Sequence, residues 1–322
     1  MSTKFSTAPS KEGQLKKVSQ MNMIRQALPI IGLIAVFIIF NILTKGGMWN
    51  SRKLILNQVY VTMISATGVF FIMTMGGLDF SQGSILGMAS IAVCILSGTN
   101  IFLALLGGIA TGAAIGAVNG FFYVNRKIKS FIVTICTMFL FRGVIKYLAS
   151  NSPVAASMVV YNYDTTAVKL GITLAVLIIG FVVFRYTKFG TYLKAIGAGE
   201  KAAKFAGIRT DRMKFLIYVL SGAITGLAAF VNIVKNGSAT ANAGNQLETQ
   251  ILIALVLGGM PISGGAKVRF ENIIVGAMLY TVLNNGLTMM GLTTQAMQLV
   301  QGIVFLVFVA VFADRQSLNV IK

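Results

Sequence analysis

The chain is 322 residues long, 56% hydrophobic and only 11% charged, with a mean hydropathy of +0.81. No water-soluble core absorbs that much apolar surface, and a bilayer core of about 30 Å takes about 20 mostly apolar residues per helix, so the composition specifies a polytopic membrane protein. The net charge of +19 is no nucleic-acid footprint, because the basic residues sit in gaps between apolar runs, where they set membrane orientation, and are not interleaved with aromatics.

Residues 1–27 are polar and basic, with Lys4, Lys11, Lys16, Lys17 and Arg25. No small-residue cleavage pattern follows, so the segment reads as a cytoplasmic tail before an uncleaved first helix. Hydropathy predicts spans near 28–43, 55–75, 84–98, 101–124, 131–149, 169–185, 215–234, 247–260, 271–290 and 295–312. The expected fold is all-α, with about ten transmembrane helices in a domain over 28–312 and a short tail over 313–322. Most of the 27 Lys and Arg fall in alternate gaps, chiefly the first tail, Asn125–Ser130 and Arg185–Lys214. The positive-inside rule then puts both termini in the cytoplasm, leaving the basic Lys45–Lys53 loop as an exception outside. The third and eighth spans are short and read as broken or re-entrant. Cys94 and Cys136 lie inside apolar runs and read as buried small residues, with no disulfide framework.

Gly108, Gly112, Gly116 and Gly120 recur every four residues, and Gly222 and Gly226 repeat the device. In lipid such small faces let helices approach closely, so tight packing is expected there. Gly76-Gly77-Leu78-Asp79-Phe80-Ser81-Gln82-Gly83-Ser84 interrupts two spans. A break of this polarity is tolerated only when buried in protein or lining a watery cavity. Asp79 and Ser81 therefore either support the start of the next helix, with the carboxylate accepting backbone N–H groups, or belong to a translocation path. Gly258-Gly259-Met260-Pro261-Ile262-Ser263-Gly264-Gly265 echoes the break, on the same side of the membrane. Asn284 and Asn285, in an apolar helix, make interhelical hydrogen bonds or line a polar cavity. Arg142 and Lys146, one turn apart near the outer end of a span, are expected to snorkel to the interface. Glu248 and Glu271 stand at helix N-termini, which favour an acid.

The sequence contains no histidine and no Walker-type phosphate loop, so no His-based metal site and no nucleotide site of that kind is expected. No cofactor is expected, nor enzymatic activity: the residues assemble no paired acids and no nucleophile with its base. Transport powered from elsewhere is the economical reading. The polar insert over 185–214 contains Gly197-Ala198-Gly199-Glu200-Lys201-Ala202-Ala203-Lys204-Phe205-Ala206-Gly207-Ile208. This spacing predicts a short helix ended by Gly207, with a small apolar patch from Ala202, Ala203, Phe205 and Ala206. Glu200 and Lys204 are expected to pair on its other side. Such a helix suits docking of a cytoplasmic partner, or else lies on anionic lipid.

With these fragments in order, the chain resembles the ribose/galactose-type permease subunits of bacterial ABC importers, over nearly its whole length beyond the first tail. The resemblance rests on Gly77-Leu78-Asp79-Phe80-Ser81 with Gly83-Ser84, and on Phe131-Ile132 and Thr134 with Arg142-Gly143. It rests also on Thr187-Lys188-Phe189-Gly190 before the Gly197–Ile208 loop, Val256-Leu257-Gly258-Gly259 with Ser263-Gly264-Gly265, and Asn284-Asn285-Gly286-Leu287. Gly199 departs from the family's frequent Asn, Leu247-Glu248-Thr249-Gln250 from its Glu-Leu-Asp pattern, and the 266–271 stretch is more charged than usual. The resemblance implies a pore-forming subunit in the bacterial cytoplasmic membrane that imports a monosaccharide or similar small polar solute. Its partners would be a second permease copy or paralogue, cytoplasmic ATPase subunits and an extracytoplasmic sugar-binding protein. Glu200, Ala202, Ala203, Phe205 and Gly207 would then form the coupling helix that meets the ATPase. Nucleosides and furanose signals are alternative cargoes, and an ion-gradient-driven secondary transporter is the rival machine.

Overall fold

The computed structural model describes residues 11–312, with side chains described for 27–310. The tail over 313–322 and the first ten residues lie outside the described residues. α1 (Lys11–Leu43) extends into the segment read as a tail, and a turn and α2 (Gly47–Asn50) lead to α3 (Arg52–Thr74). The break over 75–81 separates α3 from α4 (Gln82–Leu96), which is followed by α5 (Ile101–Asn125) and α6 (Ser130–Leu148). A strand, β1 (Val154–Ala155), and a 3-10 turn (Met158–Tyr163) precede α7 (Thr166–Tyr186), α8 (Lys188–Ala198), α9 (Glu200–Phe205) and α10 (Thr210–Asn236). Then come β2 (Ser238–Ala239), antiparallel to β1, and α11 (Leu247–Leu257), α12 (Asn272–Met289) and α13 (Thr294–Phe312).

Every predicted span coincides with a helix, the ends moving by a few residues beyond α1. Among the described residues α3, α5, α6, α7 and α10 are long and apolar enough to cross a membrane; the 27–43 part of α1, and α4, α11 and α13, are shorter apolar helices. α4 has 15 residues and α11 has 11, spanning about 22 Å and about 16 Å at 1.5 Å per residue, so neither alone crosses a 30 Å core. Non-helical backbone precedes both, at 75–81 before α4 and at 240–246 before α11.

α3 and α10 form the centre. α3 is buried on all sides from Thr62 to Thr74, as expected of a helix apolar around its whole circumference. α5, α6 and α7 form the perimeter and turn Phe102, Leu106, Phe139, Ile178 and Ile179 outward. Cys94 is buried, but Cys136 lies on the outward side of α6, correcting the expectation that both are interior.

The glycine spacing on α5 is explained by its partner. Gly108, Gly112 and Gly116 lie directly on the α10 backbone at Gly226, Gly222 and Tyr218, and a Cβ at Gly112 would run into the Gly222 carbonyl. Backbone-to-backbone approach of this kind supplies the packing that hydrophobic exclusion cannot supply in lipid. Phe70 packs edge-on against Phe184 at 4.9 Å and Phe270 at 5.3 Å. These rings tie α3 to α7 and to the segment before α12, with about 0.5–1.5 kcal/mol per pair beyond area burial.

The two ends of the bundle differ. One gathers the break, the start of α6, the α8–α9 segment and the loop before α12. The other carries the β1–β2 pair, the 3-10 turn and the Ser157 N–H bond to Ser97 Oγ at 2.9 Å.

Candidate translocation path and coupling element

Asp79 is the hub of the first break and is 1% exposed. Its Oδ1 accepts the Ser81 N–H at 2.8 Å and the Ser81 hydroxyl at 2.6 Å, and its Oδ2 accepts Gln82 Nε2 at 2.7 Å. Ser81 Oγ in turn accepts from Asn119 Nδ2 of α5 at 2.8 Å. Gln82 Nε2 also reaches Ser221 Oγ at 3.1 Å, and the Thr225 hydroxyl donates to Gln82 Oε1. The carboxylate thus fixes the turn into α4 and anchors that turn to α5 and α10. Phe80 N–H donates to Thr134 Oγ1 at 3.2 Å, and the Phe80 ring packs on Phe131 at 5.8 Å. Asn119, Gln82, Ser221 and Thr225 escape a sequence reading because their partners lie on other helices; the only local signal is polarity within apolar runs.

The two glycine breaks touch. Gly265 N–H donates to the Thr74 carbonyl at 3.0 Å, and a Cβ on Gly76 would lie 3.2 Å from the Ser263 carbonyl. Gly264 and Gly265 have φ of +67° and +100°, a region glycine enters without steric cost. Gly197, in the last turn of α8, completes the junction: a Cβ there would overlap the Thr74 carbonyl and sit 2.7 Å from the Gly265 nitrogen. The polar insert is therefore seated at once on the last residue of α3, where the first break begins, and on the second break.

From that seat α9 projects. Its end is a Schellman turn, with Gly207 at φ +84°, Gly207 N–H donating to Lys204 O at 3.1 Å and Ile208 N–H to Ala203 O at 3.1 Å. Glu200 does not pair with Lys204 as expected. It pairs with Lys214 of α10, whose ammonium also lies 4.9 Å from the Tyr123 ring centroid. Lys204 instead approaches Asp211 at 3.9 Å, both side chains exposed, a contact worth little in water. The anticipated apolar patch is divided: Ala203 is buried against this chain's own core, while Ala202 and Ala206 are exposed and Phe205 is 92% exposed. Burial pushes Lys194 of α8 below the ordinary lysine value, with Arg185 adding to the effect, and its ammonium sits 4.4 Å over the Phe184 ring.

Arg142 does not snorkel. Its Nη2 reaches Glu248 Oε1 at 3.1 Å and Oε2 at 3.3 Å, and its Nη1 donates to Asn245 Oδ1. The pair pins α6 to the first turn of α11, and both side chains are largely shielded. Lys146 remains exposed, compatible with the expected interfacial position.

A cavity of about 490 Å³ runs along α11 between the first break and α13. Leu78 and Phe80 line it; Asp79, between them, does not. Gln250 and Gln298 face it from α11 and α13, with Gln301 and Tyr280 alongside. Gln301 Nε2 donates to Asn284 Oδ1 at 2.9 Å, so Asn284 stands behind a lining residue. Asn285 is further away in role: its Nδ2 donates to Gln58 Oε1 at 2.7 Å and Thr281 O at 2.8 Å, joining α12 to α3. These glutamines escape the sequence reading; the available signal was Gln298 and Gln301 at helical spacing within an apolar run, whereas Gln246 precedes α11 in a left-handed conformation. Among the described residues no group of His, Cys, Asp and Glu could hold a metal ion.

Residues 52–309 match the family described as the permease component of branched-chain amino acid transport systems. The chain is 31% identical over 288 residues to the ribose import permease protein RbsC of Escherichia coli strain K12, covering 86% of this chain and 88% of that protein. It is 32% identical over 313 residues to the ribose import permease protein RbsC of Bacillus subtilis strain 168, covering 94% and 96%. The D-allose transport system permease protein AlsC of Escherichia coli strain K12 is 30% identical over 276 residues, covering 83% of each. No solved structure matches the chain. The family match runs from the first residue of α3 into α13, over both breaks, the cavity and α9, and the chain belongs to this family of multi-pass transport permeases.

Proposed function

We propose that the chain is the membrane subunit of an ATP-driven, binding-protein-dependent importer of a monosaccharide or similar small polar solute in the bacterial cytoplasmic membrane. It has about ten spans, both termini are cytoplasmic, and two copies, or a copy and a paralogue, enclose the path. α9 is the coupling helix: Phe205 and Ala202 meet a groove of the ATPase, while Glu200, Ala203 and Gly207 fix the helix to its own chain. A sugar-binding protein delivers solute at the opposite end. Asp79 and Ser81 hold the wall of the path, and Asn284 orients Gln301 within it. The names of the relatives, ribose and D-allose permeases, support the cargo class.

The observation that supports this reading most is the seat of the α8–α9 segment at Gly197, against the end of α3 at Thr74, where the first break begins, and against Gly265 of the second break. Motion imposed on α9 from outside has a short, stiff route to the backbone that bears Leu78 and Phe80. The test is uptake into vesicles holding the purified permease, with and without an ABC-type ATPase partner, a sugar-binding protein and ATP. ATP-dependent uptake needing all components is expected. Uptake by the permease alone, driven by an ion gradient, would establish the secondary-transporter reading instead.

A further inference from the structure

The cavity along α11 has a chemical character that separates cargo classes. None of its lining residues carries a formal charge. Gln246, Thr249, Gln250 and Gln298 line it, and their side chains make no hydrogen bond among the described residues. Amides and hydroxyls both donate and accept, as the hydroxyls of a polyol do. Phe80, Tyr280 and Phe305 add flat apolar walls, which suit the C–H face of a sugar ring. The volume falls within the range of about 300–1,000 Å³ usual for small-molecule sites. A zwitterion such as a branched-chain amino acid would bring two charges into a chamber with no counter-charge, and unpaired buried charge is strongly disfavoured. Gly302 also lines the chamber, and nothing stands within 4 Å of where its Cβ would be.

We infer that this cavity is a solute-contacting chamber selective for a small, uncharged, polyhydroxylated molecule, with Gln250 and Gln298 as its recognition groups. The inference rests on the permease reading above and adds the site and its exclusion of charged solutes. The test uses the full permease with its ATPase in lipid nanodiscs, in a Cys94→Ala/Cys136→Ala background. Gln250→Cys and Gln298→Cys should react with a charged, membrane-impermeant thiol reagent, at rates that change when ATP and vanadate trap the ATPase. Leu306→Cys, on the outward side of α13, should stay inert to it. Modification of both chamber positions only by an apolar reagent, or rates indifferent to nucleotide, would make the cavity a lipid-filled groove and overturn the inference. In cells, Gly302→Trp should abolish uptake of whichever of ribose, allose, fructose and xylose the unsubstituted protein carries, with ATPase co-purification unchanged. Normal uptake by Gly302→Trp overturns the chamber. Uptake of leucine in preference to all four sugars overturns the exclusion of charged solutes. Failure of the unsubstituted protein to retain any ATPase counts against the permease reading itself, and thiol labelling still decides whether the cavity is a watery path.

Discussion

Gly265 donates its backbone N–H to the Thr74 carbonyl at 3.0 Å, so the loop before α12 continues the hydrogen bonding of the last turn of α3. Gly197 closes on the same carbonyl from the α8 side, leaving no space for a side chain. Three segments far apart in sequence thus meet at backbone level beneath the cavity wall. Packed elements of this kind shift between discrete arrangements instead of deforming smoothly, which suits transmission of a stroke.

Gly197→Ala is expected to destabilise the protein by about 1–3 kcal/mol, because the added methyl must displace backbone. Gly171→Ala, with nothing near its Cβ position, should be neutral or stabilising by up to about 1 kcal/mol, the helix-propensity difference. Thermal unfolding of both variants in detergent checks this. Equal melting temperatures would mean that the junction is not tightly packed.

Asp79→Ala removes the acceptor for the Ser81 N–H and hydroxyl and for the Gln82 amide. The buried donors left unpaired should cost about 2–4 kcal/mol. Asp79→Asn keeps one acceptor oxygen and should cost about half as much, with substantial uptake retained. Uptake abolished in Asp79→Asn at unchanged thermal stability would show instead that the charge itself serves the path.

Removing Arg142 leaves Glu248 shielded and uncompensated. Arg142→Ala is expected to destabilise by about 2–4 kcal/mol, below the figure for a fully buried pair because both groups keep some solvent contact. The Arg142→Met/Glu248→Leu double variant should recover most of that loss, and a double-mutant cycle on thermal stability measures the coupling. An additive cycle would show that the two side chains do not interact.

The helices were legible because lipid admits few alternatives: long apolar runs must be helices, and their ends carry glycine, asparagine or charge. The close of α9 was legible too, since Gly207 stands where a left-handed residue must follow a short helix. Arg142 misled because its nearest sequence neighbour of interest, Lys146, is a like charge, while its acid arrives from α11, whose placement depends on non-helical backbone after β2. Ala203 and Phe205 illustrate a second limit. Six residues do not reveal which side of a helix is already occupied by the rest of the chain, and here Glu200 turns to Lys214 and rolls Ala203 inward. Fragments that carried the family resemblance proved to be neighbours: Phe80 meets Phe131 and Thr134, and the Ser263-Gly264-Gly265 run meets Gly197 of the polar loop.

Entry of partner-derived motion through α9 is decided at Phe205. This side chain is 92% exposed, so Phe205→Asp should leave membrane insertion and thermal stability unchanged. A docked apolar anchor replaced by a carboxylate loses its fit and buries a charge without a partner. The expected result for Phe205→Asp is normal abundance with loss of both ATPase co-purification and uptake, while Lys204→Ala retains both. A full complement of bound ATPase and normal uptake in Phe205→Asp would contradict the assignment of α9 as the coupling helix.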